Sequence, residues 1–198
     1  EGSSEEENRE ILMLLSMFHV STPTLVYKHW LNGALKWLFD NPEPKASDYK
    51  SYLENMAKAF LFDHYLSKDE PKDYYEIIYQ NSSNCMISSI NEINESLLNQ
   101  GEQVENFIFN YLDYLLWQDY NGEKKYVTGN DNRVKDFEYT FRSSVEHYYP
   151  QHPIQGEDSE IPKEWLHNFG NLCLLSSSKN AKLNNIMPAA KKDYYRKS

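Results

Sequence analysis

Hydrophobic positions in the first 120 residues recur at three- and four-residue steps, the period of an α-helix with one buried face. The clearest stripe runs along residues 49–61. Weaker stripes predict four more helices, over residues 5–19, 30–38, 87–98 and 104–116. We expect Ser21 or Thr22 to cap the second helix, with Pro23 in its first turn. Burying five such stripes favours a helical bundle.

The pattern changes after Asn121-Gly122, which is a turn signal. Between residues 137 and 149 apolar and polar side chains alternate, and this period of two predicts a strand. A short apolar run, Leu172 to Leu175, comes after a loop rich in proline and acids. Two short helices are predicted to follow, over residues 180–185 and 188–197. The chain therefore divides into a helical bundle over residues 1–120 and a smaller domain over residues 121–198, and its fold class is mostly α.

Charge is distributed unevenly along the chain. The net charge of −10 argues against a general nucleic-acid binder. From residue 163 to the end, however, seven lysines and arginines accompany only two acids. This asymmetry indicates that the C-terminal tail faces something anionic. The alternative is a solvated, lysine-rich helix end, which charge alone favours.

Two features predict a cytoplasmic protein without a membrane segment. Cys85 and Cys173 are far apart and form no CxxC pair, which argues against a disulfide scaffold or zinc knuckle and fits a reducing compartment. No apolar run is long enough to span a bilayer or to form a signal peptide. Because the sequence begins at Glu1 instead of a methionine, we expect a fragment with a further domain upstream.

Polar residues of the C-terminal half form one spaced pattern. Glu146 and His147 close the predicted strand, Asn171 precedes the apolar run, and Asn180 follows nine residues later. This pattern resembles the HNH nuclease motif, in which two short strands and a helix clasp one divalent metal ion. The resemblance implies a small ββα-metal (HNH-like) C-terminal domain over residues 121–198.

A longer match covers the last 60 or so residues. The string EHxxPQ, the string GNLxLLxxxxN, and then Pro188 and Lys191 resemble the C-terminal nuclease domain of GmrSD-type restriction proteins. These are modification-dependent phage-defence enzymes that act on DNA. The family implies an upstream ParB-like nucleotide-hydrolysing (NTPase) domain, which lies outside this sequence. Homo-oligomerisation is left open.

Phosphodiester hydrolysis needs an activated water and a Lewis acid on the phosphate. On this interpretation His147 deprotonates the water, since histidine titrates near neutral pH. One Mg²⁺ or Mn²⁺ ion prefers oxygen ligands, and Glu146 and Asn180 supply a carboxylate and an amide oxygen. Asn171 joins the two strands so that His147 is correctly oriented. His147 and Asn171 are the predicted catalytic residues, and Glu146 and Asn180 the predicted metal ligands.

Lysines of the tail are predicted to contact phosphates without reading sequence. They are Lys179, Lys182, Lys191 and Lys192. His152 and His167 lack the motif spacing, and we interpret them as loop and surface residues.

One geometric difficulty concerns the adjacent residues Glu146 and His147. Neighbours on a strand point to opposite faces, so the two share one site only if the strand bulges or ends between them. Whether Glu146 binds metal directly, acts through water or orients His147 is therefore open. The leading hypothesis is a metal-dependent DNA endonuclease of the HNH type. The alternative is a catalytically inactive helical interaction module with a degenerate nuclease tail.

Overall fold

The architecture comes from a computed structural model. The structure describes residues 2–22, 24, 28–87, 89–122, 125–127, 132–153, 161–183 and 185–197. It is mostly helical, with two short strands in these described ranges, which confirms the predicted fold class at this level. The chain divides into two compact units. Unit 1 comprises Glu1–Asn94 and Phe107–Thr140, and unit 2 comprises Glu95–Asn106 and Phe141–Ser198.

Unit 1 is built from helices and short helical turns. Its α-helices are α1 (Gly2–Ser21), α2 (His29–Asp40), α3 (Ala46–Ala59), all but the first residue of α4 (Asn106–Asn121), and α5 (Asn132–Lys135). Two π-helical turns (Phe60–Tyr65 and Glu76–Gln80) and a 3₁₀ turn (Ile90–Glu92) complete it. Helix α2 ends at Asp40, two residues after its predicted stripe, and α4 continues beyond its predicted stripe to Asn121, where the sequence has its turn signal.

The core of unit 1 is largely aromatic. The Phe18 ring of α1 stacks on Trp30 at a centroid distance of 5.4 Å and meets Phe60 edge-on at 5.8 Å. Leu53 of α3 is fully buried beside them. Leu12 belongs to the predicted stripe of α1 but is exposed, because the buried face of this helix is centred on residues 14, 17 and 18. The helix was predicted correctly, and the orientation of its face only approximately.

In α4 the aromatic side chains determine which face is buried. Tyr114 and Trp117 are almost completely covered, whereas Leu112 and Leu115 of the predicted stripe are among the exposed large side chains. Aromatic residues bury more apolar area than leucine, so their spacing along α4 outweighs that of the leucines. Periodicity that counts all apolar residues equally misses this preference.

The predicted helix over residues 87–98 is wrong. The segment forms separate 3₁₀ turns at Ile90–Glu92 and Glu95–Leu98. The buried Asp63 carboxylate accepts hydrogen bonds from the backbone N–H of Met86 at 2.8 Å and of Ile87 at 3.0 Å. A side chain thus satisfies amides that a helix would otherwise use, which favours a loop here.

The predicted cap of α2 is also wrong. Helix α1 continues to Ser21, and the Ser21 and Thr22 hydroxyls donate backwards to the carbonyls of Met17 and Phe18. Helix α2 begins only at His29. Hydroxyl groups at the end of a helix bond its last turn as readily as they cap the next helix. Pro23 lies outside the described residues.

Unit 2 contains two paired antiparallel strands and several short helices. We call the strand pair the hairpin, although a long segment that includes a helix joins its strands. Its strands are β1 (Ser144–His147) and β2 (Leu172–Leu175), and its helices are α6 (Lys163–Leu166), α7 (Ser177–Leu183) and α8 (Pro188–Lys197). The 3₁₀ turns Glu95–Leu98, Gly101–Gln103 and Phe169–Asn171 also belong to it. Helix α8 has its predicted bounds, and α7 begins three residues before the predicted start.

The predicted strand over residues 137–149 is much too long, since the structure limits it to Ser144–His147. Residues 137–143 have no regular secondary structure. In unit 1 Phe137 and Tyr139 pack on the helical core, and the Tyr139 hydroxyl donates to the Asn110 carbonyl at 2.7 Å. The alternation here reflects packing on helices instead of a sheet. The domain boundary between residues 120 and 121 stays a prediction.

Among the described helices, none combines the length and apolar character needed to cross a bilayer.

Replacing Asp63 tests the carboxylate-bonded loop. Asp63→Ala leaves the amides of Met86 and Ile87 without their acceptor. We expect the free energy of unfolding to fall by about 2 kcal/mol. Asp63→Asn keeps one acceptor oxygen and should lose less. Urea unfolding followed by circular dichroism measures both, with the exposed Asp69→Ala as control. Equal stability of Asp63→Ala and Asp69→Ala would contradict the assignment.

Candidate active site

The hairpin of unit 2 holds Glu146 and His147. Glu146 pairs with Cys173 and His147 with Leu172, and the backbone N–H of Tyr148 then donates to the Asn171 carbonyl at 2.7 Å. Because this pairing is regular, neighbouring side chains leave opposite faces of β1. Val145 and His147 are buried on one face, and Ser144 and Glu146 are half-buried on the other. The geometric difficulty expected from the sequence is therefore real.

On the first face the His147 ring contacts two polar side chains, and a third lies behind one of them. Its Nε2 lies 3.1 Å from His167 Nδ1, and its Nδ1 lies 3.0 Å from Gln151 Nε2. Gln151 Nε2 is also 3.3 Å from Glu102 Oε1. His147 is only 3% exposed, whereas His167, Gln151 and Glu102 are exposed. The ring is thus covered by groups that are themselves open to solvent.

Burial lowers the pKa of His147 below its usual value of 6.5, and the nearby His167 lowers it further. Glu102 and Glu146 act in the opposite direction but do not cancel these effects. A histidine with a lowered pKa is neutral at neutral pH and keeps one nitrogen lone pair. The side chain is therefore able to accept a proton.

Asn171 connects the chain after β1 to the chain before β2. Its Oδ1 accepts from the backbone N–H of Tyr149 at 2.8 Å. Its Nδ2 donates to the carbonyls of Leu166 at 2.9 Å and Tyr149 at 3.2 Å. These are contacts that a residue joining two strands would make, at the position next to the partner of His147.

Lys191 lies on the Glu146 side of β1. Its Nζ is 2.9 Å from Glu146 Oε1 and donates to the His147 carbonyl at 2.5 Å. Lys191 is 1% exposed, which differs from the surface position expected of a phosphate contact. A buried ammonium needs a compensating charge and hydrogen-bond acceptors, and Glu146 and the strand end provide them.

Asn180 reaches the same face of β1 from α7. Its Nδ2 donates to Ser144 Oγ at 2.5 Å. Ser144 and Glu146 alternate along the strand, so their side chains share a face. The Asn180 amide and the Glu146 carboxylate are thereby brought to one side of the hairpin. Both are oxygen donors of the kind that Mg²⁺ prefers.

Metal ligands are sparse around this hairpin. In the ranges that the structure describes, no three His, Cys, Asp or Glu side chains cluster in a way that could hold a metal ion. Glu146 and Asn180 fit a hard cation by their chemistry, but they would leave most of its coordination to water and phosphate oxygens.

The remaining predicted lysines are all exposed. Lys179 and Lys182 lie on α7, and Lys192 lies on α8. Their ammonium groups are available to solvent and to anions.

Sequence reasoning missed the partners of His147. His167 is exposed as predicted, yet it contacts the ring. The distance of 20 residues between them gave no signal, and neither did Glu102, which is distant in sequence. Gln151 could have been found, since it belongs to the EHxxPQ string four residues after His147.

Comparison with known proteins identifies the class to which this arrangement belongs. The family model "GmrSD restriction endonucleases, C-terminal domain" matches residues 87–198. The match covers more than half of the chain, so the chain belongs to this family. Members of the family are nucleases that act on DNA. The match includes all of unit 2. No curated protein and no solved structure matches the chain.

Replacing Lys191 tests the buried ion pair. Lys191→Met keeps the size of the side chain but leaves the Glu146 carboxylate without its cation, and we expect a loss of about 3 kcal/mol in unfolding free energy. The neighbouring Lys192→Met removes an exposed charge and serves as control. Chemical denaturation of both variants measures the difference.

The double variant Glu146→Gln with Lys191→Met should recover part of this loss, because no unpaired charge remains. Indistinguishable denaturation midpoints for Lys191→Met and Lys192→Met would show that the pair contributes little.

Proposed function

We propose that this chain provides the divalent-metal-dependent, HNH-type DNA endonuclease domain of a phage-defence restriction protein. The observation that carries the proposal is the coincidence of two features in unit 2. The family match includes the whole unit, and the polar residues of the HNH-like pattern lie on β1, at the end of the 3₁₀ turn before β2, and on α7. A ββα-metal arrangement of β1, β2 and α7 is part of the proposal.

His147 acts as the general base in this proposal. Its lowered pKa keeps the imidazole neutral at neutral pH, so it can take a proton from the water that attacks the phosphodiester. Asn171 acts as a positioning residue, since its bonds fix the backbone around the end of β1. Because His147 and Glu146 leave opposite faces of β1, the base and the metal ion would reach one phosphate only if side chains at this end of the strand rearrange.

Glu146 and Asn180 would hold one Mg²⁺ or Mn²⁺ ion. Their oxygens suit such an ion. Asn180 bonds Ser144 through Nδ2, so its Oδ1 is the atom that would bind a cation. When bound, the ion would polarise the scissile phosphate and stabilise developing negative charge. Lys191 already contacts Glu146 Oε1, so a cation would use the other carboxylate oxygen or displace the ammonium.

The alternative, an inactive helical module with a degenerate nuclease tail, draws support from this same ion pair. Lys191 already neutralises the carboxylate that a metal would need. A titration of the chain with Mn²⁺, followed by isothermal calorimetry, separates the two hypotheses. Stoichiometric binding that Glu146→Gln abolishes favours the nuclease, and no binding favours the inactive module.

The upstream ParB-like NTPase domain, which the family resemblance implies, stays a prediction. The cytoplasmic location expected from cysteine usage and hydropathy also stays a prediction, and homo-oligomerisation is left open.

Loss of the base tests the proposed chemistry. His147→Ala should reduce plasmid nicking with Mg²⁺ or Mn²⁺ by about 100-fold or more, which is the usual contribution of a general base. His152→Ala removes an exposed histidine from the following loop and should leave the rate unchanged. Circular dichroism verifies that both variants fold. Equal nicking by wild type and His147→Ala would reject the base assignment.

Salt dependence of DNA binding tests the lysines. Each phosphate contact contributes about 0.9 to the slope of log affinity against log salt concentration. Lys182→Ala with Lys192→Ala should therefore lower the steepness of that slope by about 2. Fluorescence anisotropy without divalent metal measures binding while no DNA is cut.

The control for this experiment is a pair of exposed lysines in unit 1, Lys45→Ala with Lys58→Ala. It removes the same charge and should leave the slope unchanged. A slope that falls equally in both double variants would indicate a general charge effect instead of a binding surface.

A further inference from the structure

We propose that the Lys191 ammonium and a divalent metal ion compete for the Glu146 carboxylate, so that Lys191 regulates how readily the site takes up its metal. The inference rests on the proposed function, because it concerns the metal ion of that reaction. It decides between an ion that shares the carboxylate with the ammonium and an ion that displaces the ammonium. The charges and the burial around Glu146 favour displacement.

The ammonium already occupies a cation position at the carboxylate. Lys191 Nζ lies 2.9 Å from Glu146 Oε1, and Lys191 is buried. An ammonium is a compact cation with three donors. One donor is used on Glu146 and another on the backbone carbonyl of His147. In the metal-free chain the lysine therefore supplies the positive charge that a largely buried carboxylate needs.

A single carboxylate cannot compensate both cations. In the part of the chain that the structure describes, no three His, Cys, Asp or Glu side chains group together as a metal site, and Asn180, the other proposed ligand, is neutral. A divalent ion next to the ammonium would bring more positive charge than Glu146 can neutralise. Like charges repel strongly where little water separates them. Binding of the ion therefore favours departure of the ammonium.

Both side chains allow this exchange. The Glu146 side chain is 14% exposed, so an ion can reach it from solvent. Lys191 lies on α8 between Ala190 and Lys192, which are both exposed. A lysine has a long flexible stem, and rotation about its bonds can carry the ammonium from Glu146 to water at the surface of the helix. The exchange therefore needs new rotamers of the Lys191 side chain and leaves the pairing of β1 and β2 intact.

Competition makes the metal affinity depend on the lysine. The apparent affinity of a ligand is reduced in proportion to the fraction of molecules whose site is free to bind it. Without the ammonium, the Glu146 carboxylate would be free in every molecule. One contact thus stabilises the metal-free chain and weakens metal binding. The domain would then take up an ion only at ion concentrations high enough to displace Lys191.

Metal binding by Lys191→Met tests the competition. Isothermal calorimetry of the full chain with Mn²⁺, in the absence of DNA, measures the dissociation constant. We expect Lys191→Met to bind Mn²⁺ roughly 10- to 100-fold more tightly than wild type, within the usual range of coupling between two binding events. Lys192→Met removes the same charge from the exposed neighbouring position and should bind as wild type does. Glu146→Gln with Lys191→Met should lose the gain.

The outcomes separate this inference from the proposed function. Equal dissociation constants for wild type and Lys191→Met would overturn the competition and leave the metal site in place. An equal gain in both lysine variants would reduce it to a general effect of charge and would overturn it as well. Binding by Lys191→Met alone supports the competition. No Mn²⁺ binding by wild type or by Lys191→Met would overturn the proposed metal site, and the inference with it.

Lysine labelling of the wild type provides a second test, which does not depend on the stability of Lys191→Met. An acetylating ester modifies accessible amines, and mass spectrometry of the peptides measures the rate at each lysine. Without metal, buried Lys191 should react much more slowly than exposed Lys192. Saturating Mn²⁺ should raise the rate at Lys191 and leave the rate at Lys192 unchanged. An unchanged rate at Lys191 in a chain that has bound Mn²⁺ would overturn the displacement.

Discussion

The candidate site depends on the regular pairing of two four-residue strands. Because β1 is paired without a bulge, Glu146 and His147 face opposite ways, and each needs its own partners. Lys191 and α7 occupy one face, and His167 and Gln151 occupy the other. A two-stranded ribbon has little stability of its own, so these partners also hold the strands in register.

Lys191 joins the Glu146 side chain to the end of β1, because its ammonium bonds the Glu146 carboxylate and the backbone carbonyl of His147. A buried ion pair of this kind often stabilises little relative to apolar residues, but removing one partner is costly. The Lys191 ammonium therefore holds both the Glu146 side chain and the end of β1 in place. Part of the charge that the sequence suggests for DNA contact is thus used inside the fold, whereas Lys179 and Lys182 of α7 and Lys192 of α8 are exposed.

Sequence periodicity predicted the helices well and their boundaries unevenly. Helices α3, α4 and α8 follow from their spacing, since helical stripes are local. The segment 87–98 and the strand over 137–143 failed because distant groups decide them: Asp63 bonds the loop amides, and Tyr139 packs on helix α4. The motif placed Asn171 and Asn180 beside the strand that carries His147, and no spacing rule could have supplied His167 or Glu102.

The environment of His147 combines two requirements that usually conflict. Burial keeps the imidazole neutral, but a buried polar ring must still satisfy both nitrogens. Exposed side chains meet this need, because Gln151 and His167 cover the ring while remaining in contact with water. A group that is bonded through exposed partners can exchange one of them for a water molecule more readily than a fully enclosed group can. The same covering that makes His147 neutral therefore consists of side chains that solvent already reaches.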